Sequence, residues 1–217
     1  MHPWRDALLL HILLAAAAAA VFTWLRPPQL GLGLLGVVVG YNLLLPLFAQ
    51  RQGHHEWVEL WLFLLPLSLM QVLPDWVLSR QFGVLDFPDL GGPRLDTVPA
   101  YMAGMWVIPL IWVLWLAGRS LLFAGIVALL LLGAAEWAAR PLQLWHAQHV
   151  PAYMGVAFYV LPAELLLGSA CAYSFLRSRE SAFPIRIGAA ACVSIFYTGA
   201  LVLGLFLSAR VSIPVLR

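Results

Sequence analysis

Apolar residues fill this chain in long blocks, and polar residues gather in the gaps between them. A helix needs about 20 mostly apolar residues to cross a bilayer, and seven stretches approach or exceed that length. They run from Asp6 to Leu25, Leu30 to Gln50, Trp57 to Leu78, Pro99 to Ala117, Arg119 to Ala139, Pro151 to Leu176 and Ala182 to Leu207. The pattern predicts an all-α integral membrane protein, a bundle of about seven transmembrane helices forming one domain over residues 1–217. No soluble domain, long linker or internal repeat is visible. The first block follows Arg5 and contains an alanine run, as a signal peptide could. Its apolar stretch is longer than the roughly 7–15 residues of a signal h-region, so a retained first helix is expected.

The gap between the third and fourth blocks breaks the pattern. Asp75 to Pro99 carries four of the ten acidic residues, Asp75, Asp86, Asp89 and Asp96, together with Arg80 and Arg94. This predicts a polar, partly buried loop between helices 3 and 4, with Asp75 at the end of helix 3. Glu136 ends the fifth block, Arg140 follows one turn later, and His146 and His149 occupy the next loop. Alternating topology brings all of these to one membrane face. Glu164 lies 13 residues beyond Pro151, roughly 20 Å along a helix axis and hence near mid-membrane. Ionisable groups inside a span are costly and usually face the bundle interior or a cavity. Glu164 is therefore the strongest single-residue signal, and Glu136 reads similarly. The structural alternative is a protonated acid that bridges two helices, or, for Asp75 after Pro74, a local turn cap.

Composition supports the membrane class: 63% of residues are hydrophobic and 10% charged,. The 12 basic residues are all arginine, which with the Ala, Leu and Gly richness suggests a GC-rich bacterium and its inner membrane. A net charge of +2 without a basic, aromatic-interleaved patch excludes nucleic acid as a partner,. Cys171 and Cys192 fall in apolar blocks and read as small buried hydrophobes. Trp4, Trp24, Trp57, Trp76 and Trp145 lie near block ends as expected of interface anchors. Trp106, Trp112 and Trp115 lie inside the fourth block, where they pack or line a pocket. With seven spans the arginines divide equally: Arg5, Arg51, Arg119, Arg177, Arg179 and Arg186 on one side, Arg26, Arg80, Arg94, Arg140, Arg210 and Arg217 on the other. Discounting Arg80 and Arg94 as loop residues places the N-terminus in the cytoplasm by the positive-inside rule.

Several chemistries can be weighed. His146 and His149, with Glu136 as a third ligand, could hold a metal ion. His55 and Glu59 share a helical face beside His54 and Glu56, a half-site or simply a solvated first turn. H-E-x-x-H, G-x-S-x-G and a Walker A loop are all missing from the sequence, and Gly91-Gly92-Pro93-Arg94 reads as a tight turn. The remaining reaction class is acid catalysis. A carboxyl group in an apolar cavity stays protonated at neutral pH and can serve as a general acid. Aromatic ring faces would stabilise a developing cation. Protonation of a carbon–carbon double bond, followed by ring closure, proton loss or capture of water, needs these parts and no cofactor. Its partners would be a lipophilic small-molecule substrate and membrane lipid. A non-enzymatic carrier or complex subunit would use the same acids as proton or substrate ligands.

The order of features from Trp57 to Tyr173 resembles the bacterioruberin-type carotenoid hydratases and, more distantly, the small integral-membrane lycopene cyclases. The resemblance rests on Asp75, Gly83, Phe87-Pro88, Leu90-Gly91-Gly92-Pro93-Arg94-Leu95, Val98-Pro99 and Trp106, then Glu136, Trp145 and Pro162. The cyclases' glutamate pair after Val-Pro is replaced by Ala100 and Tyr101, which argues against their activity as such. The hydratases' Asp-Pro pair is likewise not reproduced, because Trp137 follows Glu136. The resemblance implies a cofactor-independent enzyme of isoprenoid or carotenoid metabolism. Asp75 and Glu136 would be its acid and base, Glu164 a deep acid or orienter, and Asp96 a further acid. Arg94, Phe87, Tyr101, Trp106 and Trp145 would contact the substrate.

Overall fold

The structure, a computed structural model, describes residues 3–210; Arg217, counted above for orientation, lies outside them. Nine α-helices are described, α1 (Pro3–Trp24), α2 (Gln29–Gln52), α3 (His55–Met70), α4 (Val72–Trp76), α5 (Met102–Met105), α6 (Val107–Ala117), α7 (Leu121–Ala139), α8 (Val160–Ser178) and α9 (Phe183–Arg210). Five helical stretches are long and apolar enough to cross a membrane: Pro3–Trp24, Gln29–Gln52, His55–Gln81, Leu121–Ala139 and Phe183–Ser208. The chain is thus an all-α, multi-pass membrane protein.

Two of the seven expected spans come out differently. The fourth block becomes α5 and α6, a shorter apolar pair. Pro109 has no N–H to continue the helix from Met105, so α6 restarts with the proline in its first turn, where a missing donor costs little. The sixth block does not begin as a helix. Ala152–Tyr153 (β5) pairs antiparallel with Val156–Ala157 (β6). Met154 and Gly155 form the tip with φ of 51° and 92°, values that glycine adopts without strain. Helix α8 starts only at Val160. It has the length of a span, but Glu164 and Arg177 make it less apolar.

Packing runs from α1 to α2 to α3, and α3 then meets both α6 and α9. Helix α9 packs on α8, α8 on α7 and α7 on α6, which closes a ring. Only 11% of the α1 span is buried, so its alanine-rich surface is peripheral. Asn42 ties α2 to its neighbours. Its Nδ2 donates to the Val38 and Gly104 carbonyls at 2.9 and 3.1 Å, and its Oδ1 accepts from Trp61 Nε1 at 3.3 Å.

Helix α3 continues through α4 into one π-helical turn, Val77–Gln81. Pro74 leaves the Met70 carbonyl without its helical donor, and the Ser194 hydroxyl of α9 donates to it at 2.9 Å. The widened turn follows, closed by Phe82 N–H donating to the Val77 carbonyl at 3.2 Å. Such π-turns often occur at functional sites.

A cap closes this end of the ring. Leu85–Asp86 (β1) pairs antiparallel with His146–Ala147 (β4), joining the loop after α4 to the loop after α7. Gln148 adds a backbone bond to the Val84 carbonyl at 2.9 Å and a side-chain bond to Gly83 at 3.2 Å. A second ladder, Arg94–Leu95 (β2) with Val98–Pro99 (β3), folds the first loop on itself. The loop rests on the start of α2, where Gly31 N–H donates to the Leu90 carbonyl at 2.8 Å. Gly91 lies there at φ 79°, and a Cβ on it would sit 1.9 Å from the Pro28 carbonyl oxygen. Gly91→Ala is expected to destabilise the protein by at least about 1–2 kcal/mol from the backbone conformation alone. Thermal melts in detergent and proteolysis of residues 85–99 would measure it. An unchanged melt and cleavage pattern would show that the cap does not depend on this contact.

Candidate active site

Beneath the cap lies a cavity of about 440 Å³ whose exposed wall is overwhelmingly apolar. Its floor and sides come from α4, α5, α6, α7, α8 and α9, and its roof from both loops. Three carboxyl groups reach it: Asp75 from α4, Glu136 from α7 and Glu164 from α8. Two phenols, Tyr159 and Tyr197, line it as well, and no basic side chain does so among the described residues.

The acids differ in their partners. Glu136 Oε1 accepts from Trp145 Nε1 at 3.0 Å, so the cap holds one of its oxygens. Asp75 Oδ2 and Glu164 Oε2 are buried and have no hydrogen-bond partner among the described residues. Trp106 Nε1, on the same cavity, is equally without a partner among the described residues. Buried polar atoms are ordinarily paired, so three such atoms around one cavity single it out. The Glu164 carboxyl faces Gly133 of α7, where an added Cβ would lie 3.8 Å from Oε2. Trp106 and Tyr197 meet edge to face at 5.9 Å, and Phe87, Trp112 and Trp145 complete an aromatic lining.

The sequence expectations can now be placed. Asp75, Glu136, Glu164, Phe87, Trp106 and Trp145 converge on the cavity. Asp75 is not at a helix end: the π-turn carries the helix on to Gln81. Glu164 is not 20 Å deep. It lies four residues after Val160, about 6 Å along the axis, because the β5–β6 hairpin consumes the start of the block. Asp96 stands outside the cavity at φ 55°, at the two-residue tip of the β2–β3 hairpin, a conformation aspartate tolerates,. It accepts from Trp76 Nε1 at 2.8 Å and lies 3.6 Å from Arg80. Arg94 is also outside and braces the loop through the Phe87 and Thr97 carbonyls. Tyr101 is buried behind the wall, its hydroxyl 3.4 Å from the Leu144 carbonyl.

The cavity residues with no site reading in the sequence include Tyr159, Tyr197 and Leu201. A tyrosine inside an apolar block was the available signal for the first two, since its hydroxyl seeks a partner or a cavity. Trp57 and Trp145 are buried rather than interfacial, whereas Trp4 and Trp24 are exposed. Trp115 packs with Trp4 and Trp57 away from the cavity. Cys171 is buried as expected, but Cys192 is exposed.

The histidines do not gather around Glu136. His146 lies 3.5 Å from Asp86, and His149 lies 3.5 Å from the Gly83 carbonyl. His54 Nε2 donates to Asp6 Oδ2 at 2.8 Å, fastening α3 to α1, while His55 and Glu59 are exposed. Among the described residues no group of three His, Cys, Asp or Glu side chains could hold a metal ion.

Fold and cavity together define a helical, multi-pass membrane protein with a capped acidic chamber. The chain belongs to the family described as Domain of unknown function (DUF6989), which matches residues 72–208. That region contains every residue lining the cavity, from Asp75 to Leu201, and leaves α1 to α3 outside it. No curated protein and no solved structure matches the chain.

Proposed function

We propose that this protein is a cofactor-independent membrane enzyme that protonates a carbon–carbon double bond of an isoprenoid. One observation carries the reading: three carboxyl groups meet in one apolar, aromatic-lined cavity without a basic side chain. Carboxyl groups sharing such a space divide their protons, one staying protonated as an acid while its neighbour ionises and can act as a base. A seven-pass bundle, with α5–α6 and α8 completing the spans, and a bacterial inner membrane fit the composition.

In this reading Asp75 delivers a proton to one alkene carbon, and the π electrons form the new C–H bond. The other alkene carbon becomes a tertiary cation, which the ring faces of Trp106 and Tyr197 stabilise. A second double bond attacks the cation to close a ring, or water adds to it. Glu136, oriented by Trp145, takes the proton released at the end, so the proton count balances. Glu164 orients the substrate or the neighbouring carboxyls. Asp96 and Arg94 shape the cap instead of meeting the reacting atoms. The carotenoid resemblance agrees with this chemistry through Asp75, Glu136 and Trp145.

Glu136→Gln is expected to cut turnover of a supplied isoprenoid about 10²–10⁴-fold, the usual worth of a general acid or base. The assay is product analysis by mass spectrometry in proteoliposomes, beside a lipid extract of the purified protein. A co-purifying isoprenoid and an inactive variant support an enzyme. A constant protein partner and no conversion by the wild type favour a carrier or complex subunit.

A further inference from the structure

The cavity is closed on most sides. Its lining residues on α4, α8 and α9 are buried. The lining that reaches the surface lies mainly along the seam between α5–α6 and α7. Leu131 and Leu142 are exposed, and Ile108, Trp112, Ala135 and Ala138 are partly so. Apart from the Trp112 indole N–H and the partly exposed Glu136 carboxyl, this seam is apolar. A seam of this composition in a membrane protein opens to hydrocarbon, not water.

Size sets a second constraint. Water occupies about 30 Å³ in the liquid and a methylene is of similar size, so about 440 Å³ seats on the order of fifteen carbon units. A long polyene does not fit inside.

Resting on the function proposed above, we propose that the substrate is a bilayer-dissolved isoprenoid longer than the cavity, threaded end-first through the α6–α7 seam. Only its terminal segment, about three prenyl units, meets Asp75, Glu136 and Glu164. The remainder stays in the seam and the bilayer. Ring formation or hydration is then confined to one end of the molecule, and the cap excludes bulk water from the cation.

The test uses the full chain in proteoliposomes and two photoprobes built on hexaprenol. One carries a diazirine in the terminal isoprene unit, the other beside the hydroxyl. The expected result is terminal labelling on cavity peptides holding Tyr197 or Leu201, and hydroxyl-end labelling on seam peptides holding Ile108 or Leu131. Blocking the seam after folding avoids a misfolded variant. Ala138→Cys in a Cys192→Ala background, coupled to a bulky disulfide reagent, should lower cavity labelling about tenfold or more, and thiol reduction should restore it. Hydroxyl-end labelling of residues 85–99 or 140–159 would place the way in through the cap and overturn the proposal. So would cavity labelling unchanged by the block, or none at all. Labelling does not require turnover: if it follows the expected pattern while Glu136→Gln still converts substrate, the catalytic reading fails and the threaded path stands.

Discussion

Asp75→Asn is expected to abolish product formation while the protein folds, extracts and melts like the wild type. The amide keeps the shape of the carboxyl and removes its transferable proton. The local backbone does not depend on the acid. The Asp75 carbonyl accepts from the Ser79 hydroxyl at 2.7 Å, and the Asp75 N–H reaches the Gln71 carbonyl at 3.4 Å. The side-chain oxygen Oδ2 has no partner to lose. Turnover should therefore fall about 10²–10⁴-fold, with substrate binding retained because the apolar walls are untouched. Mass spectrometry of products and prenol photolabelling separate the two effects. Wild-type turnover in both Asp75→Asn and Glu136→Gln would end the acid–base assignment. Loss of turnover together with loss of the folded protein would instead make Asp75 a structural acid.

This contrast bears on what the sequence could tell. Helix identity was legible because long apolar blocks leave few alternatives in lipid. The convergence of Asp75 and Glu136 was partly legible, since alternating topology brings both to one membrane face. Depth was not. Glu164 is central only if the whole apolar run is helix, and hydropathy cannot distinguish helix from a short apolar hairpin at the bundle edge. Met154-Gly155 was the sole local hint of that turn. Asp96 and Arg94 misled for the opposite reason. Loop charges near a site can serve the loop, and here a hairpin tip and carbonyl bracing absorb them. Tyr197 was hidden because it comes from a distant helix, and the packing of α9 against α8 and α3 is a tertiary fact that no local pattern encodes.

The cap shows how these pieces depend on one another. Strands β1 and β4 contribute only two residues each, too few to be stable alone. They hold because the Gly31–Gly91 contact seats one loop and Trp145 anchors the other to Glu136. The hydrogen bond that orients a carboxyl therefore also closes the chamber, so cap integrity and acid geometry are coupled.

Gly168→Leu should give the largest loss of stability and take activity with it. In lipid, helices associate through close packing of small residues, since apolar side chains gain nothing by leaving hydrocarbon. Gly168 of α8 meets Ala124 and Ala128 of α7, where an added Cβ would lie 2.4 Å from both the Ala124 carbonyl oxygen and the Ala128 Cβ. Neither atom is the flexible end of a side chain, so the helices must move apart. The cost belongs at the upper end of the ~1–3 kcal/mol of overpacked cores, or above it. Gly168 is one turn beyond Glu164, on the same face, so that separation also moves Glu164 away from Gly133 and Glu136. Gly168→Ala should show a smaller loss of the same sign. Gly188→Ala on α9, where an added Cβ meets nothing within 4 Å, should have the opposite sign and stabilise by about 0.5–1 kcal/mol through helix propensity. Thermal melts in detergent and product assays on the three variants check this. If Gly168→Leu melts like the wild type, the α7–α8 contact does not hold the chamber, and the positions of Glu136 and Glu164 must be set by the cap instead.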